Sequence, residues 1–141
     1  MNSDSAATDS ALNVYLGLYN QSPSTPADLT TFVATGSADL AALRTSFDTW
    51  SYDVDHTHPT DSTNKTALPL MKSYRDALNA WLSDQETQAT GSKACLDAGP
   101  VSQSTLDCYQ QLASSDAAAA QLAASRVNYT KQLVRAALQG H

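Results

Sequence analysis

The spacing of apolar residues between Leu29 and Val54 constrains the fold of this chain more than any other feature of its sequence. From Gly36 onward the intervals alternate between four and three residues, so the stripe follows one face of a long helix that packs lengthwise on its neighbours. Gly36 either permits the close approach of another backbone or marks a break with Ser37 as a new cap, and the sequence leaves both interpretations open. The stripe consists of Leu29, Phe32, Val33, Gly36, Leu40, Leu43, Phe47, Trp50 and Val54.

The start of this helix is predicted by three residues that suit a helix N-terminus. Thr25 can cap the helix, Pro26 fits its first position, and Asp28 lies in the first turn, where the helix dipole favours a carboxylate. A shorter apolar stripe precedes it and predicts a short first helix that ends near residues 20–26. That stripe consists of Leu12, Tyr15, Leu16 and Tyr19.

A third helix is predicted to begin between Ser62 and Leu68 and to end near Gly91. Pro69 is tolerated only near a helix start, and glycine commonly follows the last helical turn. The apolar stripe again has helical spacing and predicts a second long helix. It consists of Leu70, Met71, Tyr74, Leu78, Trp81 and Leu82.

The fourth helix is predicted to begin with Ser104 as its cap and Asp107 in its first turn, and to run to Gly140. Residues 116–125 are rich in alanine, whose small side chain lets neighbouring helices approach closely or leaves a slot for a ligand. We expect the large aromatic residues of the other stripes to form the core. If some of them instead faced a cavity beside the alanine-rich segment, a small apolar or aromatic ligand could bind there. These aromatic residues are Phe32, Phe47, Trp50, Tyr74 and Trp81.

No strand pattern or hairpin turn competes with these helices. We therefore expect an all-α fold, an up-down antiparallel helical bundle of three long helices and one shorter N-terminal helix. A length of 141 residues with 42% hydrophobic residues suits a single domain. We assign this domain to residues 10–141 and expect residues 1–9, which are mostly polar, to form a linker or tether.

Cys95 and Cys108 are the only cysteines, and they bracket a segment that contains a Gly-Pro turn signal. Their even number and short separation predict a disulfide that closes the loop between the third and fourth helices. The alternative is two separate reduced thiols. A disulfide, together with few Lys and Glu residues and abundant Ser and Thr, indicates an extracytoplasmic protein that is secreted or anchored at the cell surface.

The sequence carries no hydrophobic run of the roughly 20 residues needed to span a membrane, and no signal-peptide core follows Met1. We expect any signal or anchor to lie outside this sequence, so that the membrane is reached only through a tether. The usage of Ala, Ser, Thr and Asp resembles that of bacterial surface lipoproteins, without a motif that indicates one family.

The net charge of -6 opposes nucleic-acid binding, which relies on Lys and Arg residues that release counterions from phosphates. Glu86 is the only glutamate, whereas di-iron centres in bundles take glutamates from several helices. The Cys-x-x-Cys-His haem motif is absent as well. Because the sequence has no nucleophile elbow, phosphate-binding glycine loop or His-Glu-x-x-His motif, we expect neither a cofactor nor an enzyme.

One segment, residues 52–61, concentrates imidazole and carboxylate groups. Such groups could converge on Zn, Ni or Cu, although their spacing is not diagnostic of a metal site. The simpler interpretation is a solvated corner, in which Val54 ends the second helix and Pro59 forces the turn. The candidate metal ligands are Asp53, Asp55, His56, His58 and Asp61.

The sequence favours a non-enzymatic, extracytoplasmic helical domain that binds a protein partner or a small ligand. One alternative is the extracytoplasmic sensor domain of a membrane receptor, in which the fourth helix would continue into the membrane. Gly140 resembles a helix stop and argues modestly against that alternative. The other alternative is binding of a divalent transition metal through residues 53–61.

Overall fold

The computed structural model describes residues 2–19, 23 and 25–139, and it confirms an all-α bundle with a shorter N-terminal helix. Four α-helices and no strands make up these described residues. Along the chain, α1 packs on α2, α2 on α3, and α3 on α4, and the α3–α4 contact is the most extensive. The predicted stop at Gly140 lies outside the described residues. The helices are α1 (Asn2–Tyr19), α2 (Pro26–Asp55), α3 (Ser62–Asp97) and α4 (Gln103–Gln139).

The N-terminus of α2 is confirmed as the sequence predicts it. The Asp28 backbone N–H donates to Thr25 Oγ1 at 3.4 Å, and Pro26 occupies the first helical position. The helix then runs through Gly36 without a break, so Ser37 does not cap a new segment. It ends at Asp55, within one residue of the predicted end.

The first helix begins earlier than expected, because residues 2–9, which we expected to form a linker, are helical. Thr8 is only 3% exposed, and it lies two turns before Tyr15, so both side chains face the core. Ala6 and Ala7 also have high helix propensity. The polar composition of this segment concealed an ordered helix whose inward face includes a threonine.

The third helix begins at Ser62, where Asp61 Oδ2 accepts a hydrogen bond from the Asn64 backbone N–H at 3.0 Å. The predicted end at Gly91 is wrong, because α3 continues to Asp97. A Cβ atom added at Gly91 would lie 2.7 Å from Leu112 Cδ2 on α4. This glycine therefore leaves room for the Leu112 side chain of α4 against α3, and it does not terminate a helix.

The predicted cap of α4 is also corrected, since the helix begins at Gln103 and Ser104 lies inside it. The Ser102 carbonyl accepts hydrogen bonds from the backbone N–H groups of Thr105 and Leu106 at 3.1 and 3.2 Å. The Ser102 N–H in turn donates to Thr105 Oγ1 at 3.1 Å. The Thr105 side chain thus closes the N-terminus of α4, a role that the sequence did not predict for this residue.

The disulfide between Cys95 and Cys108 is confirmed, with an S–S distance of 2.05 Å and Cα atoms 5.9 Å apart. It joins the last turns of α3 to the first turns of α4 across the short connection between them. The antiparallel pair is consequently fixed at this end by a covalent bond.

The buried apolar residues form two clusters. Trp50, with 1% of its surface exposed, is central to the large cluster, where its ring lies 5.9 Å from Phe47 and 5.6 Å from Tyr74. The prediction that the aromatic residues form the core is confirmed for these three residues and for Trp81, whereas Phe32 is half-buried. The large cluster consists of Tyr15, Leu40, Leu43, Phe47, Trp50, Val54, Tyr74, Leu78, Trp81, Leu82 and Val134. The small cluster consists of Leu29, Val33, Leu106 and Tyr109.

The close approach at Gly91 predicts a steric coupling to Leu112. We expect Gly91→Val to lower the free energy of unfolding by about 1–3 kcal/mol, because the added methyl groups overlap Leu112. Urea denaturation measures this change. Gly17→Val is the matched control, since no atom lies within 4 Å of a Cβ added at that helical glycine. In the Gly91→Val background, Leu112→Ala should be less destabilising than in the wild type; strictly additive effects would contradict the close approach.

The disulfide predicts a redox-dependent stability. Replacing both Cys95 and Cys108 by serine should lower the free energy of unfolding by about 3 kcal/mol, because the unfolded chain regains the freedom of a closed loop. Thermal and urea melts of the oxidised wild type and the double variant give the difference. Dithiothreitol should shift the wild type toward the variant and leave the variant unchanged. Equal stability of oxidised and reduced wild type would contradict this role.

Candidate functional site

A cleft opens where the two core clusters meet, and all four helices contribute to its walls. Tyr15 of α1 and Tyr109 of α4 line it from opposite clusters. It offers about 40 Å³ of space for the centres of water-sized molecules. The remaining apolar lining comes from Phe32, Val33 and Leu40 of α2 and Ala89 of α3.

Polar side chains of α3 line the cleft at depth. Gln85 and Ser92 are only 3% and 4% exposed. The Tyr15 hydroxyl donates to Gln85 Oε1 at 2.9 Å, and the Ser92 hydroxyl donates to the backbone carbonyl of Gln88 at 2.9 Å. The hydrogen bonds offset the cost of removing these groups from water, so the groups add little net stability compared with apolar residues of the same shape. The core is therefore interrupted by polar residues at the place where the cleft lies.

Gly36 creates part of the space, since it lines the cleft from the middle of α2 without a side chain. A glycine inside a helix is less favourable than alanine by roughly 1 kcal/mol. The neighbouring Ser37 also lines the cleft, and its side chain is exposed, so the cleft reaches the surface here. Of the two interpretations that the sequence allows for Gly36, the break with Ser37 as a new cap is wrong, because α2 is continuous through both residues. The close approach of another backbone stays a prediction, and the residue borders the cleft.

The cleft lining contains aromatic, aliphatic, amide and hydroxyl side chains but no charged one, as far as the described residues show. A nearby ion pair between α2 and α3 is internally satisfied: Arg44 Nη2 lies 2.6 Å from Glu86 Oε1, and Arg44 also donates to Asn79 Oδ1 at 2.8 Å. The hydrogen bond to Glu86 raises the pKa of Arg44. The only glutamate of the chain thus has a structural partner.

Beside the cleft, two carboxyl groups face each other across the α3–α4 contact. Asp84 lies one turn before Gln88 on α3, and Asp116 lies on α4. In each, Oδ2 is shielded from solvent and meets no hydrogen-bond donor among the residues that the structure describes. Burial, and then the neighbouring Asp116 carboxyl, raise the pKa of Asp84 to about 6. One shared proton would satisfy both shielded oxygens.

The candidate metal ligands of residues 53–61 have other partners in the structure. Asp55 pairs with Arg75 at 2.5 Å, and this hydrogen bond lowers the pKa of Asp55. The His56 ring stacks on Tyr52 at 3.8 Å, and its Nδ1 lies 2.8 Å from the Tyr52 carbonyl oxygen. Asp61 caps α3, and the Asn64 backbone N–H lowers its pKa.

The other two candidate ligands, Asp53 and His58, also fit a corner between two helices. Asp53 accepts a hydrogen bond from Thr57 Oγ1 through its backbone carbonyl, and His58 is exposed and lines a separate, wider hollow. Within residues 2–19, 23 and 25–139, no three His, Cys, Asp or Glu side chains form a group that could hold a metal ion. Metal binding by this segment stays a prediction, which titration calorimetry with Zn, Ni and Cu can test.

The cleft does not lie where the sequence predicts a ligand slot. None of residues 116–125, beside which the slot is expected, lines the cleft, and Ala123 and Ala124 pack against the large cluster. A signal was present in α3, where the apolar stripe continues past Leu82 with polar residues. Gln85 and Ser92 keep the intervals of three and four residues that place a side chain on the inward face.

No protein-family model, curated protein or solved structure matches this chain. The function therefore has to be inferred from the residues themselves. The cleft is the strongest candidate site, because it combines aromatic walls, buried polar groups and a helical glycine, which are features of ligand pockets.

The carboxyl pair predicts that stability falls as the pH rises from 5 to 7.5. The pKa of Asp84 is higher in the folded state than in an unfolded chain, so its contribution to stability is complete at low pH and is lost as the pH rises through about 6. Partial exposure limits the loss to about 1 kcal/mol. Thermal melts across this range measure it.

The isosteric variant Asp84→Asn is the test of this assignment. It should remove the fall in stability between pH 5 and 7.5, since an amide donates to Asp116 at every pH. Asp76→Asn, at an exposed position of the same helix, serves as the control and should keep the wild-type pH dependence. Parallel curves for the wild type and Asp84→Asn would contradict the shared proton.

Proposed function

We propose that this protein is a non-enzymatic, extracytoplasmic helical domain that binds a small ligand in the cleft between its two core clusters. The observation that carries the proposal is the burial of Gln85 and Ser92 beside the helical glycine Gly36. The helical glycine costs roughly 1 kcal/mol relative to alanine, and the hydrogen-bonded Gln85 and Ser92 add little net stability where apolar residues could pack. Residues that break local rules for stability concentrate at functional sites.

The arrangement of the aromatic residues supports the same site. Phe32 and Tyr109 pack edge to face, with ring centroids 5.7 Å apart, at one side of the cleft. Tyr15 packs edge to face on Trp81 at 5.9 Å at the other side. Aromatic walls with a few placed polar groups are the usual lining of small-molecule sites in helical bundles.

The extracytoplasmic location is supported by the bond between Cys95 and Cys108, because structural disulfides persist in oxidising compartments. In the part of the chain covered by the structure, no helix is both long enough and apolar enough to cross a membrane. The low share of charged residues, 16%, fits the same setting. The ligand would then be a molecule that the protein meets outside the cytoplasm.

A second candidate function is the outer sensor domain of a membrane receptor. The observation that favours it is the common position of the first and last helices, since Asp9 of α1 and Arg135 of α4 both act electrostatically on Tyr74. The beginning of α1 and the end of α4 thus lie at the same end of the bundle. Segments that lead to a membrane could leave from this one end, and the same cleft would then bind the signal.

A side chain at Gly36 predicts a gain in helix stability and a loss of binding. Gly36→Leu should raise the free energy of unfolding by about 1 kcal/mol, because leucine is a better helix former than glycine by roughly that amount, and its side chain would obstruct the cleft. The same variant should lose the binding of small fragments that the wild type binds. Urea denaturation measures the first effect, and ligand-observed NMR with a library of small soluble fragments measures the second.

Gly17→Leu is the matched control, because it introduces the same side chain at an exposed helical glycine with open space around it. It should bind fragments as the wild type does. If the wild type binds no fragment at millimolar concentration, or if Gly36→Leu binds the same fragments equally well, the cleft is not the ligand site.

A further inference from the structure

The charge of the cleft lining restricts what it can bind. As far as the structure describes the chain, no charged side chain lines the cleft, and the nearby Arg44 and Glu86 bind each other across α2 and α3. A charged ligand would lose much of its hydration on entering and would meet no opposite charge in the lining itself, which is costly in a partly buried site. The carboxyl groups of Asp84 and Asp116 lie outside the lining and face each other across the α3–α4 contact. The lining therefore favours an uncharged ligand.

The polar groups of the cleft indicate the kind of hydrogen bonds that the ligand makes. Gln85 and Gln88 line it with side-chain amides, each of which has both donor and acceptor atoms, and Ser37 adds a hydroxyl. The Gln88 side chain is half-buried, so a ligand can reach it from the open part of the cleft. An amide pairs best with a group that also offers a donor and an acceptor side by side.

The walls and the volume indicate the shape of the ligand. Phe32, Tyr15 and Tyr109 provide ring faces and edges on both sides of the cleft. The enclosed space for water-sized centres, about 40 Å³, is well below the roughly 150 Å³ of a cavity that encloses a benzene ring, so a ligand ring would enter only partly and stay open to solvent beside Ser37. A flat, compact body fits this space better than a long chain.

We infer that the ligand is a small uncharged molecule with a flat apolar body and a primary-amide-like edge, which the side-chain amides of Gln85 and Gln88 recognise. This inference rests on the proposed function, because it names the ligand class of the same cleft. The body would lie between the aromatic walls, and the polar edge would point toward α3.

Three probes of the same shape and different charge test the ligand class: benzamide, benzoate and benzamidine. At neutral pH and physiological salt, benzamide should bind the full chain at least about tenfold more tightly than either charged probe, since only it avoids an unpaired charge. Titrations followed by NMR give the three dissociation constants. Gly36→Leu should abolish benzamide binding, which locates the binding in the cleft.

A second pair of variants tests the role of the amide. Gln88→Leu removes the amide at similar size and should weaken benzamide binding about fivefold, the usual effect of one lost hydrogen bond. Gln121→Leu makes the same change at an exposed position of α4 and should leave binding unchanged. Equal binding by wild type and Gln88→Leu would overturn the recognition by this amide.

The remaining outcomes separate the ligand class from the proposed function. If benzoate or benzamidine binds as tightly as benzamide and Gly36→Leu abolishes that binding, the cleft is a ligand site but the inferred class is wrong. The same conclusion follows if only unrelated fragments bind in a way that Gly36→Leu abolishes. If neither the probes nor any fragment binds the wild type, both the class and the proposed function fall.

Discussion

The antiparallel pairing of α3 and α4 is the contact on which the rest of this bundle depends. The bond between Cys95 and Cys108 fixes one end of the pair, and Gly91, one turn further on, leaves room for the Leu112 side chain. Beyond that point the two aspartates meet, and the aromatic core begins.

The second organising feature is the division of the core. The large cluster would be continuous with the small one if Gln85, Ser92 and Gly36 were apolar residues of ordinary size. Instead, these two polar side chains and the glycine lie at the same level of the bundle, where all four helices line the cleft. A chain selected only for stability would fill this level, since a few kcal/mol is a large part of the stability of a small domain. The same positions that weaken the core therefore define the cleft.

A structural feature could be predicted from the sequence when it depends only on residues that are neighbours along the chain. The predicted start of α2 is confirmed, because the cap formed by Thr25 and Pro26 depends only on a few adjacent residues. Gly91 was misassigned because a glycine can end a helix or admit a neighbour, and only the position of Leu112 on another helix distinguishes the two. The predicted cap at Ser104 was wrong, because the hydroxyl that closes the start of α4 belongs to Thr105, which lies inside the helix. The bundle and the disulfide were predictable because periodicity and cysteine spacing carry them directly.

The candidate site was the hardest part to predict, for a physical reason. Its residues come from four helices, and each looks like an imperfection of its own helix when read alone. Gln85 and Ser92 resemble surface residues in the sequence, although they continue the inward stripe of α3. The His and Asp segment suggested a metal site because its reactive groups are adjacent in sequence. The structure instead engages Asp55 in an ion pair, His56 in stacking and Asp61 in a helix cap.

The hydrogen bond from Tyr15 to Gln85 has a consequence for how this molecule could report a bound ligand. The backbone of α1 packs along α2, and the Tyr15 side chain contacts Gln85 and Trp81 of α3. A molecule that takes over the Gln85 oxygen competes with the tyrosine hydroxyl, so occupancy and the seating of α1 are thermodynamically linked, with equal effect in both directions. The position of the N-terminal helix would therefore depend on whether a ligand occupies the cleft.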